Sequence, residues 1–211
     1  MDGQRVFGFA RPQREPSTED KLIAAALQIF AEEGIAVTSL RSVAKFAGMS
    51  AGALQHHFPT KDALVEAVDN HVLQIIADNL EPAVQEADYT TVTAGEGIVQ
   101  LMANHPIAMD YLKRVLLEGD VNSGVGQVIF NGLAKISEMQ GRRFQDLGLM
   151  RDDIDFLWSF LNPIVLRVGA IVLRQHLERF LPGPFYDREQ LDRWDASVTN
   201  LLQHGALVQH D

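Results

Sequence analysis

Residues Ser39 to Lys61 read SLRSVAKFAGMSAGALQHHFPTK, and this stretch decides the fold. Leu40, Val43, Ala44 and Ala47 fall at i, i+3, i+4 and i+7, one apolar face of a short helix. Gly48 follows at once, where a helix end favours a residue that tolerates the left-handed conformation. Met49 is the apolar plug of the turn. Ser50 is placed to cap a second helix by accepting from one of its free N–H groups. In that second helix Leu54 and Phe58 are four apart and share a buried face, so Gln55, His56 and His57 point elsewhere. A short helix with little to bury and a polar face, just after a glycine turn, is the helix-turn-helix plan, whose second helix enters the DNA major groove.

The run GMSAGALQHHFPTKDAL, with Gly48, Ser50, Gly52, Leu54, His57, Phe58, Lys61, Ala63 and Leu64 in place, resembles the DNA-binding signature of the TetR family of bacterial transcriptional regulators. The resemblance covers about the first third of the chain; beyond it only length and all-helical character are shared. It implies that Ser39, Arg41, Ser50, Lys61 and the N-terminus of the recognition helix face phosphate, where free N–H groups favour an anion. It implies base contact from Ala51, Gly52, Gln55 and His56, with His57 on the same polar face. Gln can pair with adenine and Ala can meet a thymine methyl. Family members often carry Tyr where Gln55 stands, so position 55 is open between reading a base and holding a phosphate. The competing reading of Gln55, His56 and His57 is the solvated face of a short helix. Adjacent helical residues point about 100° apart, and no third ligand is near His56 and His57, so no metal site is expected there or among the other histidines.

The chain has 211 residues, 46% of them hydrophobic, which suits a globular protein of one or two domains. It has no cysteine, which excludes disulfides, thiolate metal sites and thiol nucleophiles and fits a reducing cytoplasm. No basic-then-apolar leader opens it. The longest apolar run, Ile154 to Val172, is broken by Asp155, Asn162 and Arg167 and falls short of the ~20 residues a membrane span needs. Net charge is −10. Residues 1–61 hold seven Lys/Arg and six Asp/Glu, a net +1, leaving −11 on the remaining 150. Phosphate contact is local, so a near-neutral head with a basic edge can bind while an acidic body faces away.

The expected fold is all-α: a flexible arm over 1–16, a three-helix head over 17–62, and a helical body over 63–211. The arm contains Gly3, Gly8, Pro12 and Pro16. It is either a solvated tail or, through Arg5, Arg11 and Arg14, a DNA-following arm. Ser17 with Asp20 resembles a capping box opening helix 1, and Gly34 ends it. Thr60 caps a helix from about Lys61 to Asn79, a rigid rod between head and body. Pro82 is expected in a first turn, then helices over Thr90–Met102, Ile107–Glu118 and Val125–Leu147, broken at His105-Pro106 and the Gly119–Gly126 turn. Asp152–Phe180 reads as one long helix kinked by Pro163, apolar on more than one face; Asp187–Gln203 follows. In the family these last two helices (about 152–180 and 187–203) form a four-helix bundle with a second copy, and here their apolar surplus independently asks for a partner.

The resemblance also implies a small-molecule pocket in the body. Large apolar and aromatic side chains there are Met102, Met109, Tyr111, Met139, Phe144, Phe156, Trp158 and Phe160, with Arg143 able to meet an anionic group. Each is equally readable as core packing. No nucleophile-base pairing, glycine-rich phosphate cradle or metal spacing appears, so neither an enzyme nor a cofactor is expected. The reading is a dimeric, cytoplasmic repressor, released from a palindromic double-stranded DNA operator by an effector. The alternative is an all-α ligand-binding or scaffold protein without DNA-binding activity.

Overall fold

The computed structural model describes residues 17–86, 94–120, 122 and 124–207. The arm over 1–16 and the start of the helix expected at Thr90 lie outside them. Among the described residues ten helices follow in order: α1 Thr18–Glu33, α2 Leu40–Phe46, α3 Ala51–His57, α4 Lys61–Glu86, α5 Ala94–Asn104, α6 Pro106–Glu118, α7 Gly124–Asp146, α8 Phe156–Val172, α9 Arg174–Leu177 and α10 Arg188–Ala206. Among the described residues there is no strand, only one isolated bridge between Met150 and Leu207.

The ends lie where local chemistry puts them. Ser17 and Asp20 form a reciprocal capping box, and Gly34 at φ 98° closes α1. Ser39 and Ser42 cap α2 in the same reciprocal way. Gly48 has φ 69°. Around it Met49 N–H donates to Ala44 O (2.8 Å) and Gly48 N–H to Lys45 O (3.1 Å), the paired bonds of a left-handed helix end. The same pair recurs after α7, from Leu149 to Phe144 and Gly148 to Gln145. Ser50 and Thr60 each accept from a backbone N–H three residues on. The head core is Leu22, Ala26, Leu27, Phe30, Val43, Ala44, Leu54 and Phe58, continued without a break by Leu64, Val68 and Val72 of α4.

Three expectations are corrected. α4 runs through Pro82 to Glu86, because one missing N–H late in a long helix is offset by the packing of the preceding turns on α1 and α5. The helix expected from Asp152 begins at Phe156, where the Asp155 carboxylate accepts from Trp158 N–H (3.2 Å). It ends at Leu173 rather than Phe180, and the single turn of α9 follows. There Arg174 is held by both carboxylate oxygens of Asp110 on α6 (3.0 Å each) and lies over the Tyr186 ring, which turns the chain out of the α8 line. Pro163 does sit inside α8. The helix is bare outward: Leu157, Trp158 and Val165 are 53, 54 and 56% exposed.

Candidate nucleic-acid interface and effector cavity

α2 and α3 stand on the outer edge of the head. Arg41, Lys45, Ala51, Gly52, Gln55, His56 and His57 are all exposed, and among the described residues the Arg41 and Gln55 side chains make no hydrogen bond or ion pair. Ser39 and Ser50 spend their hydroxyls on capping. Lys61 donates from Nζ to Ala36 O (3.1 Å), so it ties the start of α4 to the loop before α2. His56 and His57 meet edge-to-face with ring centres 5.7 Å apart. Among the described residues no cluster of His, Asp or Glu is spaced to hold a metal.

Gly48 and Gly52 differ in a telling way. Gly48 needs its glycine for a positive φ. Gly52 does not, and a Cβ built on it would touch nothing within 4 Å. Glycine inside a helix costs ~1 kcal/mol relative to alanine, and nothing inside the chain repays it. The open space lies on the exposed face that would approach DNA.

The body holds an apolar cavity of about 90 Å³ between α4, α5, α6, α7 and α8, several times the ~10–15 Å³ that one water requires. Its walls include Ile76, Leu80, Ile98, Ile129, Leu133 and Ile171. Met102 and Met109 are the two sequence-nominated residues that line it. Phe144 lines a smaller neighbouring cavity of about 50 Å³. Phe156 packs on Phe160, under Arg142. Met139 and Trp158 are exposed at 44 and 54%, and Arg143 lines neither cavity.

Tyr111 is fully buried, and its hydroxyl donates to Asp69 Oδ1 of α4 (2.5 Å). Burial pushes the Asp69 carboxyl above its ordinary value, partly opposed by that hydrogen bond. Burial and the Asp69 charge push the Tyr111 phenol far up, so it stays protonated.

Sequence reading missed three groups. Arg167 of α8, 8% exposed, lines both cavities. Ser137 of α7 donates to Phe160 O (2.7 Å), entering α8 beside the turn that Pro163 weakens. Arg114 of α6 donates from Nε to Ala31 O (2.7 Å) and from a terminal nitrogen to Glu32 O (2.6 Å). It thereby caps the C-terminus of α1, where the helix dipole favours a cation. The only sequence signals were a charge interrupting an apolar run and the absence of a basic residue in the last turn of α1.

A helix-turn-helix head is joined through one continuous helix to a helical body that holds a cavity, the architecture of a DNA-binding regulator. The comparisons agree. Residues 22–68 match the family model described as bacterial regulatory proteins, tetR family. The chain is 26% identical over 179 residues to the HTH-type transcriptional regulator CymR of Pseudomonas putida, covering 80% of this chain and 86% of that one. It is 39% identical over 57 residues to the HTH-type transcriptional repressor KstR2 of Mycolicibacterium smegmatis, covering 27% of this chain and 28% of that one. The fold matches the structure of the ketosteroid transcriptional regulator KstR2 of Mycobacterium tuberculosis with a TM-score of 0.72 at 16% identity, over 93% of this chain and 98% of that one. Residues 22–68 are thus a helix-turn-helix domain of the tetR-family type, and the chain over most of its length is similar to transcriptional regulators that carry it. These likenesses support the DNA-binding regulator over the scaffold alternative. Among the described residues no helix is long and apolar enough to cross a membrane.

Proposed function

We propose that this chain is a homodimeric repressor that leaves a palindromic operator when a small apolar molecule fills the cavity between α4 and α8. The carrying observation is the position of α6. Met109 and Leu112 form part of the cavity wall, while Tyr111 and Arg114 of the same helix hold Asp69 on α4 and the end of α1. A ligand that pushes on α6 thus acts on both helices that carry the head. α4, read from the sequence as a rigid rod between head and body, transmits along its length, and α6 supplies a lever on it.

The dimer is formed through α8 and α10. Leu157, Trp158 and Val165 of α8 and Leu201 of α10 are exposed apolar groups, a bare face of the kind that marks an interaction surface. Two recognition helices set by that two-fold axis would have to meet major grooves roughly 34–36 Å apart. Arg41 and Lys61, with the α2 and α3 N-termini, hold phosphate; Gly52, Gln55 and His56, flanked by Ala51, approach base edges. The effector shifts the equilibrium only by its differential affinity for the bound and released forms.

The test is operator binding with and without effector, followed by fluorescence anisotropy on a palindrome selected from genomic fragments. Binding lost on addition of a compound that also raises the melting temperature supports the reading. A compound that fills the cavity, shown by loss of its binding in Met109→Trp, yet leaves operator affinity unchanged would refute it.

A further inference from the structure

Arg167 is out of place by the ordinary rules of burial. A guanidinium is almost never fully buried unless paired, and here its pairing is poor. Among the described residues its one ion pair is with Asp195 of α10 at 3.5 Å, beyond the 2.7–2.9 Å of a good charge-assisted bond. Its Nε is buried with no hydrogen-bond partner. Asp195 is itself a reluctant anion: burial, with Glu96 and Asp192 nearby, pushes its carboxyl up, against the pull of Arg167. Even the approach of Asp195 is bought locally, since a Cβ at Gly95 would collide with its carboxylate.

The cavities place this underused cation at a junction. The larger chamber is walled by aliphatic side chains; the smaller adds Gln203, Ser159 and Gly141. Ser137, Gln140, Pro163 and Arg167 line both. A molecule with an apolar body and a polar end would put its body in the larger chamber and its end at Arg167.

We propose that the effector is a compact apolar carboxylate whose carboxyl group takes the Arg167 guanidinium from Asp195. Exchange of one carboxylate for another leaves the charge around Arg167 matched, and the planar fork of the guanidinium suits two-point pairing. Because Arg167 lies on α8 and Asp195 on α10, the exchange unfastens the two helices that carry the dimer face. The inference rests on the cavity being the effector site.

The experiment is thermal shift and calorimetric binding with octanoate, decanoate and benzoate, each against its primary amide, on the full-length protein and on Arg167→Met and Asp195→Asn. At least one acid should bind about tenfold or more tighter than its amide, the worth of one charge-assisted hydrogen bond. Arg167→Met should erase that preference, and Asp195→Asn, which leaves Arg167 without a competitor, should enlarge it. Should Arg167→Met fail to fold, the Asp195→Asn comparison decides. Equal binding of acid and amide, or a preference unmoved by both variants, overturns the carboxylate class while leaving the effector cavity standing. No binding by any probe, from protein that still holds its operator, overturns the proposal and leaves the DNA-binding reading intact.

Discussion

Two glycines four residues apart should answer oppositely to the same substitution. Gly52 lies in the first turn of α3 with ordinary helical φ and nothing within 4 Å of an added Cβ. Gly52→Ala removes glycine's helix penalty and should stabilise the fold by about 0.5–1 kcal/mol. For a chain of this size that is a rise of ~1–4 °C in Tm. Gly48 also has open space, but its φ of 69° is costly for any residue with a Cβ. Gly48→Ala should cost about 1–2 kcal/mol and lower Tm by ~2–8 °C. Operator affinity should move the other way for Gly52→Ala. A methyl on the approaching backbone should cost about tenfold in Kd, the worth of one good base or phosphate contact. The assays are differential scanning calorimetry and fluorescence anisotropy at fixed salt. A Gly52→Ala protein that is more stable and binds DNA undiminished would show that α3 does not approach DNA at this backbone. A Gly52→Ala protein that is less stable would show that the space around residue 52 is not open.

Three further outcomes follow from the geometry. Tyr111→Phe leaves the Asp69 carboxylate half-buried without its donor and should cost about 1–3 kcal/mol at neutral pH. Burial raises the Asp69 carboxyl in the folded state, so its contribution to stability is full below the unfolded value of 3.8 and lost as pH rises through the folded value; the Tyr111 hydrogen bond opposes that rise, and removing it raises the carboxyl further, a loss felt only while Asp69 is ionised. The Tyr111→Phe penalty should therefore shrink on acidification through the carboxyl range, as urea titrations at stepped pH would show; a pH-independent penalty would contradict this. Arg114→Ala removes the donors to Ala31 and Glu32 and should destabilise by about 2 kcal/mol. It should also weaken the effect of effector on operator binding more than operator binding itself, measured by anisotropy with and without effector. Val165→Glu puts a charge on the bare face of α8 and should yield monomers by analytical ultracentrifugation, with operator binding lost alongside; an intact dimer would place the interface elsewhere.

The head was legible in the sequence almost residue by residue because its signals are local. Ser17, Gly34, Ser39, Gly48, Ser50 and Thr60 act within one helical turn of themselves, and caps and left-handed ends need no knowledge of the rest of the chain. The body was legible as helices but not as a cavity. Periodicity says that Met102, Met109, Tyr111 and Phe144 face inward, yet which inward groups leave a void depends on how five helices pack together. Tyr111 points instead at α4, and Trp158 points out of the chain. The end of α8 was misplaced because the turning force at Leu173 is the long-range grip of Asp110 on Arg174, 64 residues apart. Arg167 entered the reading only as a charge breaking an apolar run; its partner Asp195 lies a helix away.

The measurement that tests the central claim most directly is selection of genomic DNA fragments by the purified protein at moderate salt. The account predicts one enriched palindrome, with half-sites about one helical turn apart or a multiple of it, and affinity that falls steeply as salt rises, since phosphate contacts displace counterions. No enriched site, from protein shown to be folded and dimeric, would contradict it.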